Sequence, residues 1–509
     1  MRSGENAGDR VILLANSDIY ISEHAICGIC GTHIEVMACN FAIDRRENPY
    51  QLPRVSYMPL PTAPVIAVVG AGFSGVMTAL NLLRRSPDVK VILFERRTPV
   101  GLGAAYSTHN PHHRLNVRAG NMSAWPDRPG HFVEWLNAEN RAVGPAGFAT
   151  RADYGRYLQS QVAEIAEGAA GAGRLVVTPD AVVGIEPGGD GWRLQCAMGR
   201  AVTVHAVILA LGNPPPARPP GIGEAFAATE TYVADPWRWD AAAPPPGPAL
   251  LIGTGLTMVD VALSLDDANP GRPMLALSRR GLAPLEHVGS PPLNPPVPPP
   301  GDLSPLEALD WLKTTAATHG WRTAIDALRP VTQALWRGWS PARKQAFLRH
   351  ARPFWEIHRH RLAPQVAKRI AAMRATGQLV IAAGKIRSLT LEPDGLALCK
   401  WRARGEQRGY AARAVTVINC TGPTGDVLAS TDPLVQDLVR RGLARPDPLR
   451  LGFDVDAGNR LVDMSGQASP TLLAVGPATR AAHWEITAVP DIRGQAAAAA
   501  QTALAALAA

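Results

Sequence analysis

No run of about 18 uninterrupted apolar residues occurs anywhere in the 509-residue chain, so no membrane-spanning helix is expected. The early apolar stretch "RVILLAN" is too short and too interrupted for a signal peptide, and the expected compartment is the cytoplasm. Cysteine is scarce, with six in all, and no CxxC pair appears after Cys30. That disfavours a disulfide reductase, whose chemistry needs a redox-active pair of thiols. Cys196, Cys399 and Cys420 are scattered among apolar residues and read as inert thiols of a reducing compartment. Acids are nearly missing from residues 337–369, where nine Lys and Arg face only Glu356, and this local excess feeds a net charge of +8. A single basic segment suits an anionic small molecule as well as a nucleic acid. No zinc-finger or RNA-recognition pattern supports the latter, so nucleic acid is not an expected partner. Within that segment, His358 and His360 stand two apart, a spacing that turns them to different sides of a helix and excludes a shared metal ion.

Residues 1–60 differ from the remainder in composition, holding seven isoleucines and half of the cysteines. "CGIC" at Cys27–Cys30, with His24, His33 and Cys39 nearby, lacks a second ligand pair of known zinc spacing. The segment reads as an N-terminal extension, disordered or spurious, with translation starting at Met58. Beyond it, apolar strands alternate with helical stretches, the pattern of α/β architecture with a parallel sheet. Proline marks the seams: eight of the 17 residues in 284–300 are proline, which reads as a stiff extended linker. A helical block follows. Ser304, Pro305 and Glu307 form a capping-box start, "SPARK" at 340–344 repeats the Ser-Pro start, and Val366, Ile370 and Met373 share a face of a helix ending at Gly377. The expected organisation is a first dinucleotide-binding domain from 61–245 and 378–509, a second Rossmann segment at 246–301, and a helical lid at 302–377.

The first glycine turn, Gly70-x-Gly72-x-x-Gly75, follows the strand "VIAVV" and opens an apolar helix. Gly70 permits the tight turn, Gly72 lets a pyrophosphate approach the backbone, and Gly75 lets helix and strand pack closely. The helix N-terminus then offers free N–H groups to phosphate. The next strand ends in Glu95, 20 residues after Gly75. A carboxylate there accepts ribose hydroxyls and repels a 2′-phosphate, as FAD or NAD requires.

The second turn, Gly253-x-Gly255, lacks the third glycine, whose place Met258 takes. Its following strand ends in Ser278-Arg279-Arg280 instead of an acid. Guanidinium groups bind a dianionic 2′-phosphate with bidentate, charge-assisted hydrogen bonds, which reads as NADPH; a solvated surface pair is the competing reading. FAD at the first turn and NADPH at the second is the economical assignment, NADPH reducing the flavin.

"GLGAAYSTHNPHHRLNVRAGNMSAWPDRPGHFVEWL" (101–136), "YGRYL" (154–158), "VILALGNPPP" (207–216), "DPW" (235–237), "SRRG" (278–281), "RPFWEIHRHRLAP" (352–364), "INCTGP" (418–423) and "WEITAVPDIRGQA" (484–496) follow in order. This series resembles the bacterial FAD/NAD(P)-binding proteins grouped with FAD-dependent urate hydroxylase and aspartate N-monooxygenase. The resemblance runs from about residue 64 to 500. It implies a flavin-dependent monooxygenase reduced by NADPH, forming a flavin C4a-(hydro)peroxide and hydroxylating a small polar nitrogen compound with O₂. An oxidase or reductase without oxygen insertion, and a non-catalytic FAD/NAD(P)-binding protein, are the alternatives. The resemblance places Asn116 and Arg118 near the flavin ring, where plain loop structure competes as a reading. Gly212 closes the strand "VILALG", and Gly476-Pro477 closes the last one. "WEITAVPDIR" is expected to open the final helix, with Glu485 and Thr487 by the flavin pyrimidine. Trp355 and His358 read as lid packing. The His-containing signature of flavin monooxygenases that oxidise soft nucleophiles is missing from "YVADPWRWD".

Overall fold

The computed structural model describes residues 63–97, 99–168, 171–239, 244–288 and 295–508; the "CGIC" segment and Met58 lie outside them. Among the described residues, no helix is long and apolar enough to cross a membrane.

Two sheets organise the chain. The first has six strands, in the spatial order Arg460–Val462, Ala468–Ala474, Ala206–Leu209, Val65–Val69, Lys90–Phe94 and Leu175–Thr178. All pair in parallel except Arg460–Val462, which is antiparallel to its neighbour. The central strand Val65–Val69 is buried at every position, as expected of an all-apolar run covered on both faces. One face carries the helix Phe73–Arg85 and the closing helix Val489–Ala508, whose Ala496, Ala499, Ala500 and Ala503 share a core with Val76, Leu80 and Leu83. The alanine stripe lets these two helices approach closely. A three-stranded antiparallel sheet over Val182–Val204 follows the outer strand of this unit.

The second sheet has seven strands, in the order Gly409–Ala414, Ala397–Ala403, Leu379–Leu391, Met274–Ser278, Ala249–Ile252, Thr416–Asn419 and Tyr232–Val233. Its core is parallel, with the antiparallel strands Ala397–Ala403 and Gly409–Ala414 at one edge. This corrects the expected partition, in which 378–509 belonged wholly to the first domain. Met274 pairs with Leu379, and Thr416 with Ala249, so 379–419 and the short strand Tyr232–Val233 complete the second sheet. The helical block is therefore the crossover between two adjacent parallel strands of the second unit.

Local signals in that block hold. Ser304 and Glu307 close a capping box over the helix Pro305–His319, and Ser340 caps Pro341–His350. Val366, Ile370 and Met373 are buried on Pro364–Ala375. The described start of the proline-rich linker is no free spacer, however. Leu362 donates its N–H to the Leu285 carbonyl at 2.8 Å, and His287 donates to the Leu362 carbonyl at 3.0 Å.

Candidate functional site

The two glycine turns are built on one plan. Gly70 has φ +101° and donates its N–H to the Phe94 carbonyl at 2.9 Å. Gly253 has φ +114° and donates to Leu277 at 2.9 Å. A Cβ on Gly70 would lie 2.4 Å from the Ala210 carbonyl oxygen, and one on Gly253 at 2.4 Å from that of Cys420. Side chains are thus excluded by conformation and by space at both positions. The next residue is tied to the end of the second strand in each case: Ala71 N–H donates to Glu95 Oε2 at 2.9 Å, and Thr254 Oγ1 donates to Ser278 Oγ at 2.9 Å. Ser278 therefore occupies in the second turn the place that Glu95 holds in the first.

From that register the two turns end in different charge. Glu95 is buried, and Oε1 accepts the Arg97 N–H at 3.0 Å, leaving a fixed carboxylate beside the turn. Past Ser278, Arg279 is exposed, and Arg280 lies 5.4 Å over the Phe354 ring of the helical block. Neither has an ion-pair partner among the described residues. The helices Phe73–Arg85 and Leu256–Ala268 begin at Gly72 and Gly255 without any side-chain cap. Their first amides are thus open to an anion. A Cβ on Gly72 would meet only Gly103 Cα at 3.6 Å, and on Gly255 nothing within 4 Å. At neither position does the surrounding fold itself require the absence of a side chain. At Gly75 the demand is internal, since a Cβ would sit 1.7 Å from the Gly70 carbonyl oxygen. Met258, at the equivalent position, is fully buried, so the second helix must stand farther from its turn.

Gly476 lies against the start of the first helix. It has φ +78°, and its Cβ would lie 2.5 Å from Ser74 Oγ at the start of the first helix. Its N–H donates to Gln495 Oε1 at 2.8 Å. Pro477 and Gly212 line one cleft with Arg96, Asn213, Gly425 and Gly452. Gly103 and Gln495 went unnoticed in the sequence; "GLG" at 101–103 and "RGQA" at 493–496 were their signals.

Asn116 and Arg118 meet the linker, and Glu485 meets the helical block. Asn116 accepts, at its carbonyl, the His287 Nε2–H at 3.0 Å. Arg118 donates to the Ala146 and Val288 carbonyls at 2.7 and 2.6 Å, tying its turn to the linker. Burial, then the positive charges of Arg361, Arg118 and Arg359, bring the His287 pKa down to about 4, so the ring is neutral near neutral pH.

The final helix starts at Val489, not at Trp484 as expected; Pro490 suits a first helical turn, whereas Glu485 has φ +68° and Thr487 donates its N–H back to the Glu485 carbonyl. Glu485 and Thr487 therefore lie in the turn before the helix. The Glu485 carboxylate is buried and faces the helical block. It accepts the Trp355 Nε1–H at 2.9 Å and lies 3.3 Å from Arg359 Nε and 3.7 Å from His360 Nε2. Trp336 stacks on Trp484 with centroids 4.5 Å apart and donates to the Ala481 carbonyl at 2.7 Å. Arg329 pairs with Asp491 at 3.2 Å. The block is thus latched onto 481–491 by indole and guanidinium donors, Trp355 among them.

Burial alone would push the Glu485 carboxyl up, but His360, Arg359, Trp355 and Arg480 outweigh it and hold the group below its ordinary 4.5. A carboxyl depressed by folding contributes stability in full above that ordinary value and loses it as pH falls through the folded one. Glu485→Gln leaves Arg359 without its buried counter-charge at every pH. It is expected to cost about 3 kcal/mol. Thermal melts over a falling pH series would check this: wild type and variant differ at neutral pH, and the gap narrows as the pH falls below 4.5. Equal melting temperatures at neutral pH would refute it.

The three described cysteines are buried and unpaired, and burial lifts the Cys196 and Cys399 thiols to about 11. They are inert, as expected.

Comparison with known proteins gives three findings. Residues 67–214 match the model of an FAD-NAD(P)-binding family. L-aspartate N-monooxygenase (nitrosuccinate-forming) of Streptomyces davaonensis is 32% identical over 256 residues, 40% of this chain. The match spans 39% of that relative's length. Two solved structures share the fold at low identity. Ornithine N-hydroxylase of Kutzneria sp. 744 has TM-score 0.59 and 16% identity over 87% of this chain and 99% of that one. L-lysine 6-monooxygenase from Pseudomonas syringae has TM-score 0.59 and 15% identity over 87% of this chain and 100% of that one.

Proposed function

For a chain that carries an FAD-NAD(P)-binding domain at 67–214, we propose an FAD-dependent monooxygenase that takes electrons from NADPH and hydroxylates the nitrogen of a small amine. The observation that carries this is the presence of two glycine turns of opposite terminal chemistry, Glu95 at one and Arg279-Arg280 at the other, together with a helical block latched over 481–491. The N-monooxygenase activity named for the aspartate relative supports nitrogen as the atom oxidised.

The residues fit both groups. Gly70, Gly72 and Gly75 would hold the FAD pyrophosphate, Glu95 the adenosine ribose, and Gly476, Pro477 and Gly212 the clefts beside them. Gly253, Gly255, Arg279 and Arg280 would hold NADPH through its pyrophosphate and 2′-phosphate. The flavin, when bound, supplies the redox chemistry with O₂. The chain's own residues orient and exclude water: Trp355, Trp336 and Trp484 form an apolar wall, and the neutral His287 adds no acid near Asn116. The overall balance converts amine, O₂, NADPH and a proton to hydroxylamine, water and NADP⁺. The cytoplasm is the proposed compartment, supported by the unpaired buried thiols.

Purified protein supplied with NADPH, O₂ and a panel of primary amines tests this. Stoichiometric hydroxylamine formation with NADPH consumption is the expected outcome. NADPH oxidation that yields only hydrogen peroxide with every amine would favour the oxidase reading instead.

A further inference from the structure

The second glycine turn carries a side chain that the first lacks: Ala71 follows Gly70, whereas Thr254 follows Gly253. At the first turn the long Glu95 side chain reaches back to the Ala71 N–H. Ser278 is too short for that reach, and Thr254 comes out to meet it, Oγ1 standing 2.9 Å from Ser278 Oγ. The same hydroxyl also bonds the Leu282 carbonyl, and Ser278 Oγ accepts the Gly281 N–H at 3.0 Å. Thr254 is 5% exposed, so bulk water does not compete for these partners. A Cβ on Gly281 would lie 3.0 Å from Ala383 Cβ, so the loop also sits hard against the strand Leu379–Leu391. The backbone of 278–282 is thereby pinned at both ends. From its middle project Arg279, exposed, and Arg280, over Phe354.

Packing does not call for this hydroxyl, because valine fills the same space. Both of its partners lie in the loop that displays the arginines. Guanidinium groups on a fixed backbone lose less freedom when they bind a phosphate than groups on a loose one, and the gain appears as affinity for that phosphate. We propose that Thr254 is a positioning residue for coenzyme selectivity: its hydroxyl fixes the loop 278–282, and through it sets Arg279 and Arg280 for a 2′-phosphate. The proposal rests on the reading of the second turn as an NADPH site. The other half of that site, the uncapped start of the helix Leu256–Ala268 at Gly255, makes no bond to the Thr254 hydroxyl, so the pyrophosphate and the 2′-phosphate respond separately.

Titration calorimetry on the FAD-loaded protein tests this with adenosine 2′,5′-bisphosphate and adenosine 5′-monophosphate, which differ only in the 2′-phosphate. The wild type is expected to prefer the bisphosphate. Thr254→Val is expected to weaken the bisphosphate about tenfold while leaving the monophosphate within about twofold, and Thr254→Ser, which restores the hydroxyl, to recover the preference. Ser278→Ala keeps the Leu282 bond and is expected to fall between wild type and Thr254→Val; should Thr254→Val not fold, this variant reads the same network, and a wild-type preference in it overturns the assignment. A purely structural role would weaken both nucleotides alike in Thr254→Val and overturn it too, as would a Thr254→Ser protein that regains nothing. The paired variant Arg279→Ala, Arg280→Ala separates the two readings. A preference absent from the wild type, or undiminished in the paired variant, sinks the NADPH site and the role of Thr254 with it. A preference lost in the paired variant but kept in Thr254→Val sinks the role of Thr254 alone.

Discussion

Gly75→Ala is expected to yield protein with little or no bound flavin and a large loss of stability. The added methyl would sit 1.7 Å from the Gly70 carbonyl oxygen and 3.2 Å from Ala210 Cβ, between a strand buried throughout and a helix buried from Phe73 to Leu83. Neither partner is a flexible side-chain end. The helix must move out, which opens the cradle at its own N-terminus, and the cost is about 3 kcal/mol or more. Gly72→Ala is the informative companion. Its methyl would meet only Gly103 Cα at 3.6 Å, an ordinary contact, so the fold is expected to survive. A folded Gly72→Ala protein with weakened flavin retention would show that the methyl blocks the pyrophosphate. The flavin-to-protein absorbance ratio and the melting temperature, measured together, read both effects; full flavin occupancy in Gly75→Ala would refute the close-packing argument.

The second large effect concerns coenzyme choice. The paired variant Arg279→Ala, Arg280→Ala is expected to lower kcat/KM for NADPH about 100-fold or more while changing the NADH value only a few-fold. Each charge-assisted hydrogen bond to a 2′-phosphate contributes about 1.5–3 kcal/mol, and NADH lacks the group that would receive it. The two arginines are not equivalent. Arg279 is exposed and free to swing, whereas Arg280 rests on Phe354, so its removal also loosens a contact with the helical block. Single variants are therefore expected to differ, with Arg279→Ala affecting NADPH alone and Arg280→Ala carrying a small loss with both coenzymes. Equal losses for NADPH and NADH in the paired variant would refute the phosphate assignment.

Much of this protein was determined by the sequence itself. Both glycine turns, the acid and the arginines that follow them, the capping box at Ser304, the N-cap at Ser340 and the buried stripe of Val366, Ile370 and Met373 were legible, because each depends on neighbours within a turn or a strand length. Even the missing third glycine at Met258 carried its meaning, since the steric demand at that place is local. What tertiary structure decided was every question of partnership across the chain. "AVTVINCTG" looks like a strand of the first domain, yet Thr416–Asn419 pairs with Ala249–Ile252, because register follows from which hydrophobic surfaces find each other and not from a strand's own residues. The basic stretch at 337–369 read as one patch of charge. Folding splits it: Arg343 lies exposed at the surface, while Arg359 and Arg361 are buried with donors to spare. Burial is a property of the whole packed chain, and it alone turns an ordinary arginine into a group that needs an anion.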